Sequence, residues 1–169
     1  SRYWVSVQLT QAGQLYGGHS QGLRVFTGYE LDLTPDQIVA VEIRTFHNAT
    51  RLAGHAPQTP DEFAYAIAFP VAAMIVRGQV GVAELTEDTL RDPEILRISR
   101  ATALIDDDEM TRISQGKRWA QVTLHTTDGR SFEDAPRTPK GDNDLPLTDT
   151  EISEKFHLFA DPVLGSAPA

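Results

Sequence analysis

The longest apolar run in the sequence, Asp61 to Gly78, limits most strongly what the chain can fold into. Its large apolar residues recur at steps of three and four, which is typical of one face of a helix: Phe63, Ile67, Val71, Met74 and Ile75. Alanines fill most other positions, so the helix would be apolar almost all round, as buried helices are. Thr59 is a suitable N-cap, and Gly78 is a suitable stop. We therefore predict one central core helix, bent at Pro70.

Alternating apolar and polar residues predict strands on both sides of this helix. The clearest lies from Ile38 to Phe46, with Val39, Val41, Ile43 and Thr45 on one face. Further strands are predicted at residues 101–105, 119–127 and 130–135. Asp128-Gly129 separates the last two and is a strong signal for a hairpin turn.

Shorter patterns predict the remaining elements. One helix is expected from Val82 to Leu90, and Asp92 caps a second that begins at Pro93. A closing amphipathic helix is expected from Thr148 to Phe159. A polar loop is expected from His47 to Thr59. Together the elements predict an α+β two-layer sandwich, in which an antiparallel sheet of three to four strands carries helices on one face.

Length and composition favour a single cytoplasmic domain. The chain has 169 residues, of which 40% are hydrophobic, and this is enough to build a core. We expect an N-terminal arm and short helix at residues 1–32, the α+β domain at 33–165 and a frayed tail at 166–169. The absence of cysteine excludes disulfides and thiolate chemistry. A net charge of -9 argues against nucleic acids and anionic membranes as partners, but not against a small acid bound in a basic pocket.

Five stretches, in order, resemble the C-terminal domain of the MmgE/PrpD family. They are the strand at 38–46, the apolar run that ends in Arg77-Gly78, the segment TLRDPEILRISR, the hairpin RWAQVTLHTTDGRSFE and the stretch KGDNDLPLTDTEISEKF. The last is similar to a family pattern in which a Gly-Asp and an Asn precede Pro-Leu, a hydroxyl residue and a Lys-Phe pair. The resemblance covers about three quarters of the chain.

This resemblance implies both a chemistry and a missing partner. Members include 2-methylcitrate dehydratase, cis-aconitate decarboxylase and iminodisuccinate epimerase, which abstract a proton next to a carboxylate and usually require no metal or cofactor. A large helical domain carries most of their active site, and the α+β domain closes over it as a lid. The resemblance therefore implies that this chain needs a helical domain or subunit, that a small di- or tricarboxylic acid is the substrate and that the isolated chain is inactive.

Three site residues are suggested by the same resemblance. His19, beside Gly17-Gly18, best matches the family's catalytic histidine, although the lysine that precedes it in the family is absent here. Phe69 occupies the position of a substrate-facing tyrosine, and a phenylalanine cannot donate the hydrogen bond. Tyr65, one turn earlier, is a possible substitute, with core packing as the alternative.

Other candidates come from the residues alone. Arg44 on the first strand could bind a carboxylate through two N–H groups, although a cross-strand ion pair is the more common use. His47 and His55 flank a loop that also holds Arg51, but their spacing supports no metal site, and exposed loop histidines are the simpler reading. The acidic stretch at 106–109 lacks the pattern of a calcium loop, so we interpret it as a solvated turn.

Three hypotheses follow. The chain could be the lid of a MmgE/PrpD lyase or isomerase, which is expected to form a homo-oligomer and to need a helical partner. It could be a stand-alone binding or regulatory module derived from such a lid, as the phenylalanine at position 69 favours. It could also be an unrelated α+β interaction domain, in which case no lid-like groove would lie beside the central helix.

Overall fold

A computed structural model describes residues 33–52, 54–78, 80–81, 84–143 and 145–165. The predicted arm at 1–32 and tail at 166–169 lie outside these ranges. After a single 3-10 turn at Pro35–Gln37, the described elements follow in the order β1 (Ile38–Thr45), α1 (His47–Thr50), α2 (Pro60–Ala64), α3 (Ala68–Arg77), α4 (Glu87–Arg91), α5 (Pro93–Arg100), β2 (Thr102–Asp106), α6 (Asp108–Ile113), β3 (Ala120–Thr126), β4 (Ser131–Glu133) and α7 (Asp149–Leu164).

The four strands form one mixed sheet in the order β2-β1-β3-β4. β3 pairs antiparallel with both β1 and β4, and the predicted Asp128-Gly129 turn joins β3 to β4. β1 and β2 are parallel: Val41 pairs with Thr102 at one end of the ladder, and Thr45 pairs with Asp106 at the other. The α+β class is confirmed, but the prediction of a purely antiparallel sheet is wrong at this pair. Five helices lie between the two strands, and such a long connection allows a parallel crossover.

β1 contains a local irregularity that the alternation did not predict. Val41, Ile43 and Thr45 are buried as expected, but Val39 is 46% exposed, whereas Ile38 is 1% exposed. The pairing with β3 shifts register between Ile38 and Ala40. An extra residue at such a bulge moves the preceding side chains to the opposite face, so the prediction that Val39 shares the buried face is wrong.

The predicted central helix is divided into α2 and α3, and the division precedes Pro70. The chain leaves the helical path at Tyr65 to Ile67, and Pro70 occupies the first turn of α3. A proline lacks an N–H and its ring clashes with the carbonyl four residues earlier, so it fits best in the first turn of a helix. A continuous helix bent at Pro70 was therefore the wrong prediction. The predicted end is confirmed, since Gly78 is left-handed, with φ 75°.

Two other predictions are corrected by helix caps. α4 begins at Glu87, because the Thr86 side chain accepts the N–H of Thr89 and acts as the N-cap. The predicted start at Val82 lies outside the described residues. The acidic turn is the start of α6, because Asp107 accepts the N–H of Met110. Both caps satisfy N–H groups that a helix start leaves unpaired.

Local signals predicted the other helices with smaller errors. Asp92 caps α5 through the N–H groups of Glu94 and Ile95, as expected. α7 begins after Thr148 with the expected capping box, but it extends to Leu164 and includes Pro162. The loop expected after β1 contains the short helix α1 at its start.

α3 is the centre of the core. Every residue from Ala68 to Ile75 is buried, and they join β1 residues and α5 residues in one apolar cluster. The Phe63 and Phe69 rings meet edge to face, with centroids 5.4 Å apart. Fully burying a large apolar side chain contributes about 1.5–3 kcal/mol, so the apolar run stabilises the fold although it is not one helix.

The chain divides into two compact units, Ser1–Thr138 and Pro139–Ala169. In the second unit α7 has no buried residue, and its predicted apolar stripe, Ile152, Phe156 and Phe159, is exposed. Among the described residues, no helix has the length and apolar character required to cross a bilayer.

Candidate functional site

The structure places the three described candidates in different environments. His19 lies outside the described residues. Phe69 is fully buried against Phe63 in the core, and its predicted contact with substrate stays a prediction. Arg44 lies on β1, where its Nη1 is 3.7 Å from Oδ2 of Asp107, the cap of α6. Arg44 thus makes an ion pair, but with a helix cap and not with a neighbouring strand, and its contact with a substrate carboxylate stays a prediction.

Tyr65 lies on the surface of the turn between α2 and α3. Its side chain is 68% exposed, and only its backbone N–H is engaged, with the carbonyl of Asp61 at 3.2 Å. The phenol hydroxyl makes no hydrogen bond within the described part of the chain. The structure therefore does not support core packing for Tyr65, and the hydroxyl is available to a ligand or to a covering domain.

The loop that follows α1 is fixed against this turn by two backbone hydrogen bonds. The N–H of Ile67 donates to the carbonyl of Leu52 at 2.8 Å, and the N–H of Phe69 donates to that of Gly54 at 3.3 Å. Gly54 has φ 52°, and a Cβ there would lie 2.3 Å from the Cβ of Ala66. Only glycine fits so close an approach in that conformation, so the loop is held close to the turn.

His55 is held by a reciprocal pair of hydrogen bonds with the end of α5. Its Nδ1 lies 2.7 Å from the carbonyl oxygen of Ser99, and the Ser99 hydroxyl donates to the carbonyl of His55 at 2.8 Å. A carbonyl oxygen can only accept, so Nδ1 carries the proton. Nε2 makes no hydrogen bond to the described residues and is open to solvent. In the neutral ring, Nε2 is therefore an accessible proton acceptor.

Two of the described arginines have no carboxylate partner in the part of the chain that the structure describes. The arginines that are paired with a carboxylate are Arg44, Arg77, Arg91, Arg97, Arg112, Arg130 and Arg137. Arg51 and Arg100 make no such ion pair and no side-chain hydrogen bond to a described residue. Arg51 is the C-cap of α1, four residues before His55, and Arg100 follows Ser99 at the end of α5.

Two other described histidines, His47 and His125, are engaged differently. His47 Nδ1 contacts the Asp106 carboxylate at the carboxyl ends of β1 and β2, and both side chains are largely exposed. His125 Nδ1 lies 2.8 Å from the Ser131 hydroxyl, and its Nε2 lies 3.3 Å from Oε1 of Glu42. These are cross-strand and surface pairs. No group of three potential metal ligands occurs within the residues that the structure describes.

A comparison with known families decides which family the chain belongs to. The family model described as MmgE/PrpD C-terminal domain matches residues 27–169. The chain belongs to the MmgE/PrpD family. No curated protein matched the chain. Membership supports a dehydratase-like ancestry, and in the MmgE/PrpD family this C-terminal domain is the partner of an N-terminal domain.

The sequence pointed to Arg51, His55 and Tyr65 as separate residues, and it predicted that both loop histidines are solvated. Arg100 and Ser99 were not considered, because nothing in the local pattern of α5 indicates that its last turn meets a loop 44 residues earlier. A histidine in a loop that also holds an arginine was the available local signal.

Proposed function

We propose that the chain is the lid of a MmgE/PrpD-type lyase or isomerase that acts on a small di- or tricarboxylic acid. The family match over residues 27–169 carries this proposal. The exposed hydroxyl of Tyr65 and the open Nε2 of His55 support it, since the fold uses neither group. The hydrogen bonds and electrostatic interactions of such polar groups with a ligand become stronger when a partner domain excludes water from them.

In the proposed reaction, the helical domain supplies most of the acid–base groups, and the lid supplies positive charge. Removing a proton next to a carboxylate builds up negative charge on the substrate. Preorganised guanidinium groups stabilise such charge in a site that is closed to water. The proposal includes a cytoplasmic location and a homo-oligomer, as the sequence predicted. The proposal covers dehydration, decarboxylation and epimerisation alike.

A second candidate function is a stand-alone, non-catalytic binding module derived from such a lid. One observation favours it: Phe69 is fully buried and has no donor, at the position where the family carries a substrate-facing tyrosine. This module would bind a carboxylic acid without turnover.

The deciding experiment combines native mass with turnover. The chain is purified from its own source, weighed under native and denaturing conditions, and assayed with 2-methylcitrate and cis-aconitate, alone and with the helical polypeptide that accompanies it. The lid proposal expects a complex with that polypeptide and turnover only in the complex. A chain that runs alone or as a simple homo-oligomer, without turnover, would overturn it in favour of the binding module.

A further inference from the structure

α7 carries most of the exposed apolar surface of the described chain. Among the described residues ten large apolar side chains are exposed, and six of them lie on this helix. Four of the six follow one another at steps of four, three and four residues: Ile152, Phe156, Phe159 and Val163. At 3.6 residues per turn, these four fall within about 60° around the helix axis. We call them the α7 stripe, and their side chains are 42–81% exposed.

The spacing of the α7 stripe is that of a helix that packs against another helix. Apolar residues at alternating steps of four and three repeat every 3.5 residues on average, and the side chains of such a seam insert between those of a facing helix. Most of the stability of a helix in a protein comes from packing of its apolar face. No residue of α7 is buried within the described part of the chain. The stripe therefore indicates a helical occupant.

The flanks of the α7 stripe carry no acid between Ile152 and Val163, although the chain has a net charge of -9. By helical spacing, the positions on its two sides are Ser153, Lys155, Ala160 and Pro162. Glu154 and Asp161 lie on the opposite face, where Asp161 pairs with His157 at 3.0 Å. Two copies of this acidic chain can therefore meet at the stripe without bringing their carboxylates together.

We propose that the α7 stripe binds the same stripe of a second copy of the chain, with the two helices antiparallel. In this alignment Ile152 lies opposite Val163 of the partner subunit, and Phe156 lies opposite Phe159 of the partner subunit. The four phenylalanine rings then fill the centre of the contact, where aromatic side chains contribute most to binding. A two-fold axis uses one patch on both copies. The positive end of each helix also lies beside the negative end of the other.

The area of the α7 stripe sets the strength of this dimer. A phenylalanine side chain presents about 150–250 Å². With the exposed fractions of its four members, the stripe amounts to roughly 400 Å², and a patch of this size on a monomer is often functional. Two stripes with their flanks bury about 1,000 Å², the lower limit for a specific interface. We therefore expect a reversible dimer with a Kd on the order of 10–100 μM.

The test is sedimentation velocity of the full chain, from about one tenth to ten times the expected Kd. The chain should pass from monomer to dimer across this range. Phe156→Glu should raise the Kd at least about tenfold, because it places a charge at the centre of an apolar contact. Circular dichroism verifies that the variant stays folded.

Leu158→Glu is the matched control on the same helix. Leu158 is 50% exposed, close to the value for Ile152, but it lies about 130° around the axis from the centre of the α7 stripe. The same change of leucine to a carboxylate on this other face should alter the Kd less than about threefold. The comparison separates loss of the stripe from a general effect of added negative charge.

A second variant tests the antiparallel alignment. Phe159→Lys alone should also weaken the dimer at least about tenfold. A mixture of Phe156→Glu and Phe159→Lys chains should form a heterodimer again, because the new carboxylate then faces the new ammonium group. The other central layer of that heterodimer keeps both of its phenylalanines.

Each outcome decides the inference. A chain that stays monomeric, a dimer that Phe156→Glu leaves intact, an equal loss in Leu158→Glu, or a mixture that stays monomeric would each overturn it. A helical polypeptide that displaces the second copy and binds through Phe156 would assign the α7 stripe to that polypeptide, which also overturns it.

This inference goes beyond the proposed function, which includes a homo-oligomer without naming its surface. Failure of the lid proposal is distinguishable, because it appears as absence of turnover with a helical polypeptide. A dimer that depends on Phe156 but supports no turnover keeps the interface and loses the enzymatic role. Turnover by a complex in which the chain never pairs with a second copy keeps the enzyme and loses the interface.

Discussion

Arg97 shows how a single side chain joins two elements. Its guanidinium binds both carboxylate oxygens of Glu94 at 2.6 and 2.9 Å, and it donates to the carbonyls of Ile38 and Pro35 at 2.8 and 2.9 Å. The hydrogen bonds to Arg97 lower the pKa of Glu94. α5 is thereby tied to the start of β1.

We expect Arg97→Lys to lower the free energy of unfolding by about 1–2 kcal/mol, because an ammonium cannot reproduce the planar set of four hydrogen bonds. Urea denaturation measures the change. Arg91→Lys is the matched control, since its pair with Glu87 is 75% exposed on both sides and should be worth at most a few tenths of a kcal/mol. Equal losses in the two variants would contradict the structural role of Arg97.

Gly54 provides a second prediction for a single residue. An added methyl group would meet Ala66 at 2.3 Å for Cβ and 2.9 Å for Cα, in a backbone with φ 52°. Gly54→Ala should therefore cost more than Gly129→Ala, which has φ 82° but open space around it. Strain at positive φ alone costs about 1–2 kcal/mol. Chemical denaturation of both variants compares the costs, and a smaller loss at Gly54 would show that the loop does not approach Ala66 so closely.

Among the elements, α7 has a capping network that should depend on pH. Lys140, followed by the backbone N–H and hydroxyl of Thr148, lowers the pKa of Glu151 to about 2. In an unfolded chain a glutamate titrates near pH 4.3. The folded state thus favours the carboxylate, and its contribution to helix stability is complete above pH 4.3 and is lost as the pH falls toward 2.

We accordingly expect the first turn of α7 to lose helicity between about pH 4.3 and pH 2. Carbon chemical shifts of residues 149–153 follow this loss. Glu151→Gln keeps a side chain suited to the capping box but cannot titrate, so its helicity should be lower at neutral pH and independent of pH in this range. The same acid transition in the variant would assign the titration to another group.

The sequence predicted those elements whose signals are local. Asp92, Thr148 and the Asp128-Gly129 turn act within a few residues of themselves, and the structure has each of them in place. The division before Pro70 depends on a loop that takes the N–H groups of Ile67 and Phe69. Such contacts join residues about 15 positions apart, and no periodicity within the apolar run indicates them.

For the whole molecule, acids exceed bases, with 24 acidic and 15 basic residues in the sequence. A ligand that binds only the folded state raises the free energy of unfolding by about 2.7 kcal/mol at 100 times its dissociation constant. Under the proposed function, citrate should therefore raise the melting temperature of the chain more than sodium chloride of the same ionic strength does. Differential scanning calorimetry measures this, and an equal rise with both salts would indicate a general salt effect.

At the same scale, the family and the α+β class were predictable from ordered stretches, but the site was only partly so. His55 was visible in the sequence as a loop histidine. Its fixed ring depends on Ser99, which reaches it through the packing of α5 and follows from the whole topology. The parallel pair β1 and β2 was missed for the same reason, since five helices lie between the strands.

The two hydrogen bonds between the loop and the α2–α3 turn also allow the rate of local opening to be measured. The amides of Ile67 and Phe69 are outside or at the very start of a helix, yet each donates to a carbonyl of the loop. Their exchange with deuterated water requires the loop to separate from the turn. The exchange rate of these two hydrogens therefore reports how often the segment between Arg51 and His55 opens while the rest of the domain stays folded.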